Sequence, residues 1–275
     1  MRTRLFSLLV IFISVWGCQK LPLASEGQFD VDPSLEWRQD SLFITLPNPV
    51  KCPLRVSLSH DHQTVDSLLT SLRPLILSPL ETKVLAVPLS DWSEELQKGL
   101  HIASVLGALE YYHPDSGAIY GLPFQVHKTY QVIQAYHGTF SHHGRYSEYA
   151  IDFNLQPGDT ICASRDGIVV GVIEGYDIGG KDRKYRPYAN FLSLYHPDGV
   201  ITQYVHLLKE GALVELGDTV RRGEPIGLSG NTGFTSSPHL HFNVLKPTRT
   251  SAESMPVNFS IGPGATLRKG QRVRH

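Results

Sequence analysis

The stretch Ser237-Pro238-His239-Leu240-His241-Phe242-Asn243-Val244 reads as a β-strand with a divided surface. Alternate side chains of an extended chain point to opposite faces, so His239, His241 and Asn243 share one face and Leu240, Phe242 and Val244 the other. The apolar trio predicts a buried anchor. The two imidazoles are spaced so that one could bind a metal ion while its neighbour acts beside it. Spacing alone also suits an amphipathic strand with two half-exposed histidines. His60 and His62 repeat the i, i+2 pattern in a polar turn with no partner motif nearby, and are expected to be solvated loop residues. The remainder of the chain has to decide what the pair at 239 and 241 means.

Upstream of this strand the sequence is rich in histidine and in Gly-Asp turns. Seven of the thirteen histidines lie between His137 and His241. Gln156-Pro157-Gly158-Asp159-Thr160-Ile161 and Glu215-Leu216-Gly217-Asp218-Thr219-Val220 look like one hairpin element used twice, each leading into an apolar strand. Further strands are expected over 167–173, 190–195 and 200–206, with a last one at Met255-Pro256-Val257-Asn258-Phe259. Short strands at this density predict a compact antiparallel β domain over 125–260, entered through Tyr120-Gly121-Leu122-Pro123-Phe124 and followed by a basic, Gly-rich tail over 261–275. The Gly-flanked, basic and aromatic loop from Tyr176 to Tyr188 is expected to overhang the histidines.

The first half has a different texture. Alternating runs at Ser41–Leu46 and Leu54–Ser59, with shorter ones at 75–77 and 84–87, predict a small β-sandwich over 28–124, immunoglobulin-like in its strand spacing. Asp91-Trp92-Ser93-Glu94 has the form of a capping box opening a short helix. The whole chain is thus expected to be all-β. At the start, Met1-Arg2-Thr3-Arg4 precedes a run of apolar residues to Trp16, the pattern of a secretory signal too short to span a bilayer stably. Val15-Trp16-Gly17-Cys18 resembles the lipobox of bacterial lipoproteins, which implies removal of residues 1–17, acylation of Cys18, a linker over 18–27 and anchoring to a membrane of the cell envelope. With Gln19 next to it, the outer membrane is the expected destination in a Gram-negative cell. Removing that leader leaves 23 basic against 26 acidic residues, a net charge of −3, and nothing in that balance suggests a nucleic-acid surface. Cys52 and Cys162 then remain; both lie in apolar strand-like contexts that suit free thiols, and pairing in an oxidising compartment is the alternative.

Tyr149-Ala150-Ile151-Asp152-Phe153, Tyr204-Val205-His206-Leu207, Ser229-Gly230-Asn231-Thr232-Gly233 and Pro238-His239-Leu240-His241-Phe242 fall in the order of the motif blocks of the lysostaphin-like, LytM-type zinc endopeptidases. The segment from Gln131 to Phe259 resembles that family, whose fold is a compact antiparallel β domain, the duplicated hybrid motif. The resemblance implies zinc held by His142 or His143, by Asp152 and by His241, with His239 and His206 as catalytic histidines flanking an open coordination position. Glu148 stands where the compact form of the motif has its first His and is a third option. Ser141-His142-His143-Gly144 fits the longer form and favours His142. Tyr204 is a candidate helper of His206, and Asn243 a candidate to orient a ligand from behind. His137 and His196 match no catalytic position and are expected to be structural.

Two neutral imidazoles and one carboxylate leave Zn2+ with one net positive charge and a vacant position, the pattern of catalytic rather than structural zinc. The implied activity is hydrolysis of peptide cross-links in bacterial peptidoglycan, with the peptide stems as substrate and an envelope regulatory protein as a further partner. A LytM-type module without catalysis that regulates a cell-wall amidase is the competing reading, and a scaffold with structural zinc a more distant one.

Overall fold

The computed structural model describes residues 32–275 apart from 90–92, 94, 95 and 97. The leader, Cys18 and the capping box at Asp91 lie outside the described residues. The first domain contains β1 (Ser34–Arg38), β2 (Ser41–Pro47), β3 (Leu54–His60), α1 (Gln63–Thr70), β4 (Leu75–Leu77), β5 (Thr82–Pro88) and β6 (Leu100–Leu106). Two antiparallel three-stranded sheets, in the orders β1-β2-β5 and β4-β3-β6, enclose a common core. The alternation of Leu42, Ile44 and Leu46 drives this, since each is fully buried while its neighbours are not. The two sheets share the core formed by Leu42, Ile44, Leu46, Leu54, Val56 and Leu58. Helix α1, which buries Val65 and Leu69 one turn apart, gave only a weak apolar signal in the sequence.

His60 departs from expectation. It ends β3 with 8% exposure, its Nε2 lies 2.6 Å from the Leu96 carbonyl and its Nδ1 accepts from the His62 N–H at 2.8 Å. The imidazole is a buried connector because β3 runs one residue further than its apolar pattern does. His62 remains exposed. Cys52 and Cys162 are free and buried, and burial pushes their thiols up to about 12 and about 11. They behave as small hydrophobes rather than as a disulfide.

The second domain is organised around a nine-stranded sheet. Its strands are β7 (Ile119–Tyr120), β8 (Thr129–Gln134), β9 (Ile151–Phe153), β10 (Thr160–Cys162), β11 (Gly167–Ile173), β12 (Gly179–Gly180), β13 (Phe191–Tyr195) and β14 (Ile201–Val205). They continue with β15 (Leu207–Ala212), β16 (Thr219–Val220), β17 (Pro225–Ser229), β18 (Gly233–Phe234), β19 (Leu240–Pro247), β20 (Ala252–Ser254), β21 (Asn258–Phe259), β22 (Gly262–Pro263) and β23 (Arg272–Arg274). The main order is β16-β11-β13-β14-β19-β9-β8-β23, with β20 also paired to β19. The duplicated turn is present twice in the same geometry. Gly158 and Gly217 have φ of 88° and 93°, and Asp159 and Asp218 each accept, through Oδ2, from the backbone N–H three residues earlier. A glycine is needed in that left-handed position.

Both ends of the domain extend past the boundaries read from the sequence. Tyr120, Leu122 and Phe124 belong to the second core, and β7 pairs with β21, so the junction segment is part of the second domain. Residues 261–275 are no loose tail: β23 pairs with β8 at the sheet edge and buries Val273. One apolar side chain among basic residues is too little pattern to announce a strand. The first-domain core also reaches across, taking in Val170, Ile201 and Leu245 of the main sheet. Arg55 adds hydrogen bonds to the carbonyls of Thr248 and Ser251, the latter at 2.8 Å.

His196 is structural, as expected. It is fully buried, with Nδ1 2.7 Å from the Asp166 carbonyl and Nε2 2.9 Å from the Thr202 hydroxyl. Burial lowers it from 6.5 to about 4. Because the folded value lies below the unfolded one, its contribution to stability is present above pH 6.5 and is lost as the pH falls through the folded value, on the order of 3 kcal/mol by pH 4. Urea unfolding of the native protein and of His196→Gln at pH 7 and at pH 4 should show the gap between them narrowing by about that amount; a gap independent of pH would contradict the assignment.

Candidate metal centre

The strand pairing alone brings three polar positions into line. Asp152 of β9 is the register partner of His241 on β19, Gln134 of β8 is the partner of Asp152, and Val205 of β14 faces His241 from the other side. Leu240, Phe242 and Val244 point into the core on the opposite face, as the alternation of the sequence requires. His142 arrives from the loop between β8 and β9. That loop is turned back on itself by Ser147 and Glu148 donating to the Gly144 carbonyl. It is held over the sheet by Asn243, whose amide donates to the Tyr146 carbonyl at 2.5 Å, and by Tyr146, whose hydroxyl donates to Gln203 Oε1 at 3.3 Å.

At the meeting point, His142 Nε2 lies 3.1 Å from Asp152 Oδ1 and 3.2 Å from His241 Nδ1, and His241 Nδ1 lies 2.9 Å from Asp152 Oδ1. His142 Nδ1 is 3.1 Å from the Ala135 carbonyl, which can only accept, so in the neutral ring the hydrogen sits there and Nε2 presents a lone pair. Lone pairs of two imidazoles and a carboxylate thus converge on one point. Ligands about 2.0–2.1 Å from a tetrahedral zinc ion are separated by about 3.3 Å from one another, close to the three edges found here. The residues therefore fit such an ion.

The electrostatics have the same cause. Burial would raise the Asp152 carboxyl, yet the imidazoles of His239 and His142 hold it well below the usual carboxylate range. Burial works against a charged His142, but the Asp152 carboxylate prevails and raises it. Burial lowers His241, outweighing the same carboxylate. A positive charge belongs where these groups meet, whether a proton or a metal ion supplies it.

Two more histidines complete the wall. His239 Nδ1 lies 2.8 Å from the Ser237 carbonyl and 3.3 Å from the Thr235 hydroxyl, which leaves Nε2 free to accept and 3.7 Å from Asp152 Oδ2. His206 Nδ1 lies 2.6 Å from the Thr232 carbonyl, so its Nε2 is also an acceptor. The rings of His206 and His239 are 4.6 Å apart, and that of His206 is 6.0 Å from His241. Burial, together with His239 and His241 nearby, holds His206 well below its ordinary value. Strand alternation would send His206 into the core with Tyr204. It escapes by ending β14 in a left-handed conformation, φ 72°, that swings the ring towards the other histidines.

Tyr204 is consequently no helper. It is fully buried, packs on Phe242 and accepts from the Ser164 N–H at 2.8 Å. His143 is exposed, and Glu148 pairs with the Tyr149 hydroxyl, so neither joins the cluster. Asn243 is fully buried and ties down the His142 loop rather than touching a metal-facing ring. His137 packs against Tyr149 away from the cluster. The loop over 176–188 is seated beside the centre through β12, which pairs with β18; Lys181, Arg183 and Arg186 are exposed on it. Neither Gln134 nor the carbonyls of Ala135, Thr232 and Ser237 are signalled in the sequence. Backbone acceptors have no sequence signature, and an isolated Gln has little.

Residues 146–258 match Peptidase family M23, which takes in Asp152, His206, His239 and His241 but begins after His142. Over 114 residues the chain is 34% identical to the peptidoglycan DD-endopeptidase ShyA of Vibrio cholerae, covering 40% of this chain and 24% of that protein. Over 124 residues it is 35% identical to the glycyl-glycine endopeptidase ALE-1 of Staphylococcus capitis, covering 43% of this chain and 31% of that protein. The chain thus spans less than a third of these relatives. The catalytic domain of lysostaphin from Staphylococcus simulans aligns at 25% identity over 46% of this chain and 88% of that one, with a TM-score of 0.32. On the sequence matches, the second domain of this chain is a peptidase M23 domain, homologous to the lysostaphin and LytM-type peptidases.

Proposed function

We propose that the chain is a zinc-dependent endopeptidase that hydrolyses peptide cross-links of bacterial peptidoglycan, and that it is anchored to an envelope membrane through lipidated Cys18. The observation that carries the reading is the convergence of three lone pairs from His142, Asp152 and His241 beside two further imidazoles with free acceptors. Relatives named as peptidoglycan and glycyl-glycine endopeptidases support the substrate class. His142, Asp152 and His241 hold the ion. When bound, zinc polarises a scissile carbonyl and acidifies water towards neutrality.

The two remaining histidines divide the proton work. His239 accepts a proton at Nε2, and the Asp152 carboxylate 3.7 Å away stabilises the imidazolium that forms. The same nitrogen returns that proton to the leaving amine. His206 stays neutral because burial and two neighbouring imidazoles oppose its charging, so its Nε2 serves as a fixed acceptor that orients the attacking water. Since its Nδ1 hydrogen is taken by the Thr232 carbonyl, it has no hydrogen to offer a developing oxyanion.

Zinc titration against a chromophoric chelator should give one tight site, lost in His142→Ala and in His241→Ala and kept in His143→Ala; loss on changing His143 instead would move the first ligand. Purified sacculi incubated with the protein should release cross-link-cleaved muropeptides, with cleavage stopped by chelator and reduced roughly 10²- to 10⁴-fold in His239→Ala at undiminished zinc content. Zinc bound without cleavage under any condition would instead favour a non-catalytic module that regulates an amidase. Fractionated cells should hold the protein in the membrane pellet and release it in Cys18→Ser; an unaltered distribution would remove the lipid anchor from the proposal.

A further inference from the structure

We infer that Gln134 is a positioning residue of the metal centre, selecting the Asp152 oxygen that faces the ion and locking the His142 loop to that carboxylate. The inference rests on the metal-binding part of the function proposed above. Gln134 lies outside the residues matched to the family, at the last position of β8.

Its placement is the product of a bulge. The register slips between Val132, which faces Phe153, and Gln134, which faces Asp152, so one extra residue in β8 swings the Gln134 side chain onto the carboxylate. All of its amide is then committed. Nε2 donates to Asp152 Oδ2 at 3.0 Å and to Ser141 Oγ at 2.8 Å, and Oε1 accepts from the Phe140 N–H at 3.2 Å. The amide orientation follows from the partners, since a carboxylate only accepts and a backbone N–H only donates. Oδ2 being engaged, Oδ1 is the oxygen turned to His142 and His241.

The other two contacts hold residues 140 and 141, immediately ahead of His142, while Ala135, immediately after Gln134, accepts from the His142 ring. A single turn of chain thus fixes both the carboxylate and the first imidazole. Gly138 makes room for it: a Cβ there would come within 2.3 Å of Gln134 Cγ and 2.9 Å of Oε1. Partners of this kind behind a metal ligand are worth roughly 10- to 100-fold in affinity.

The test is made on the full chain, with Zn2+ competition for affinity, the visible spectrum of the Co2+ form for coordination, and far-ultraviolet circular dichroism for folding. Gln134→Ala should bind Zn2+ roughly 10- to 100-fold more weakly. Its Co2+ spectrum should weaken as Oδ2, now free, also reaches the ion and raises the coordination number. Gln134→Glu, which keeps the shape but sets a second carboxylate against Asp152, should also lose affinity and alter the Co2+ bands. Gln131→Ala, on the same strand but bonded to the Gly270 carbonyl instead of the carboxylate, should keep the native affinity and spectrum, and the circular dichroism of each variant reports whether it has folded. Folded Gln134→Ala with native affinity and spectrum overturns the inference while leaving the zinc reading intact. A native chain that binds neither ion overturns both.

Discussion

The pairing of β9 with β19 is the contact on which the rest of the second domain depends. It sets Asp152 opposite His241, residues 89 apart in sequence, on a face that buries the carboxylate almost completely. A buried carboxylate without partners is costly, and here each oxygen is answered: Oδ1 by His142 and His241, Oδ2 by Gln134 with His239 beyond it. The surrounding loops can be understood as the means of supplying those answers. The β8 bulge delivers Gln134, the tied-back loop delivers His142, and the left-handed turn at His206 delivers a ring that a regular strand would have sent elsewhere.

Strand β19 also joins the two domains. On one face Leu240, Phe242 and Val244 fill the core of the second domain. On the other, His241 lies at the metal centre, Asn243 secures the His142 loop, and Leu245 enters the core of the first domain together with Ile201 and Val170. The first domain is therefore packed on the same sheet face that carries the centre, a few residues along the same strand. Its hydrogen bonds from Arg55 to the turn after β19 reinforce that seating.

Much of this was legible in the sequence. The His-x-His alternation, the duplicated Gly-Asp turn, the apolar strands and the motif order all carried over, because each is a local pattern with a period or a fixed offset that backbone geometry imposes. Legibility ended where a side chain's direction depends on a distortion. Tyr204 and His206 share a strand face by counting, and only the left-handed φ of His206 separates a core tyrosine from a ring at the centre. His60 looked like a solvated turn residue, yet a Leu96 carbonyl from another segment closes over it. The edge strand at Arg272–Arg274 and the helix after β3 had too few apolar residues to show a pattern.

By itself the sequence determined which residue types were available and the order in which they come: an all-β chain, two imidazoles on one strand face, a carboxylate upstream, and motif blocks of a known peptidase family. It left His142, His143 and Glu148 open as companions of Asp152. Only the tertiary structure separates them, because the loop that carries all three turns His142 inwards and leaves His143 exposed, with the Ala135 carbonyl on the His142 ring and the Gln134 amide on the two residues before it. Those partners act through space on groups that every residue has or that one glutamine supplies, so no linear pattern could have announced them.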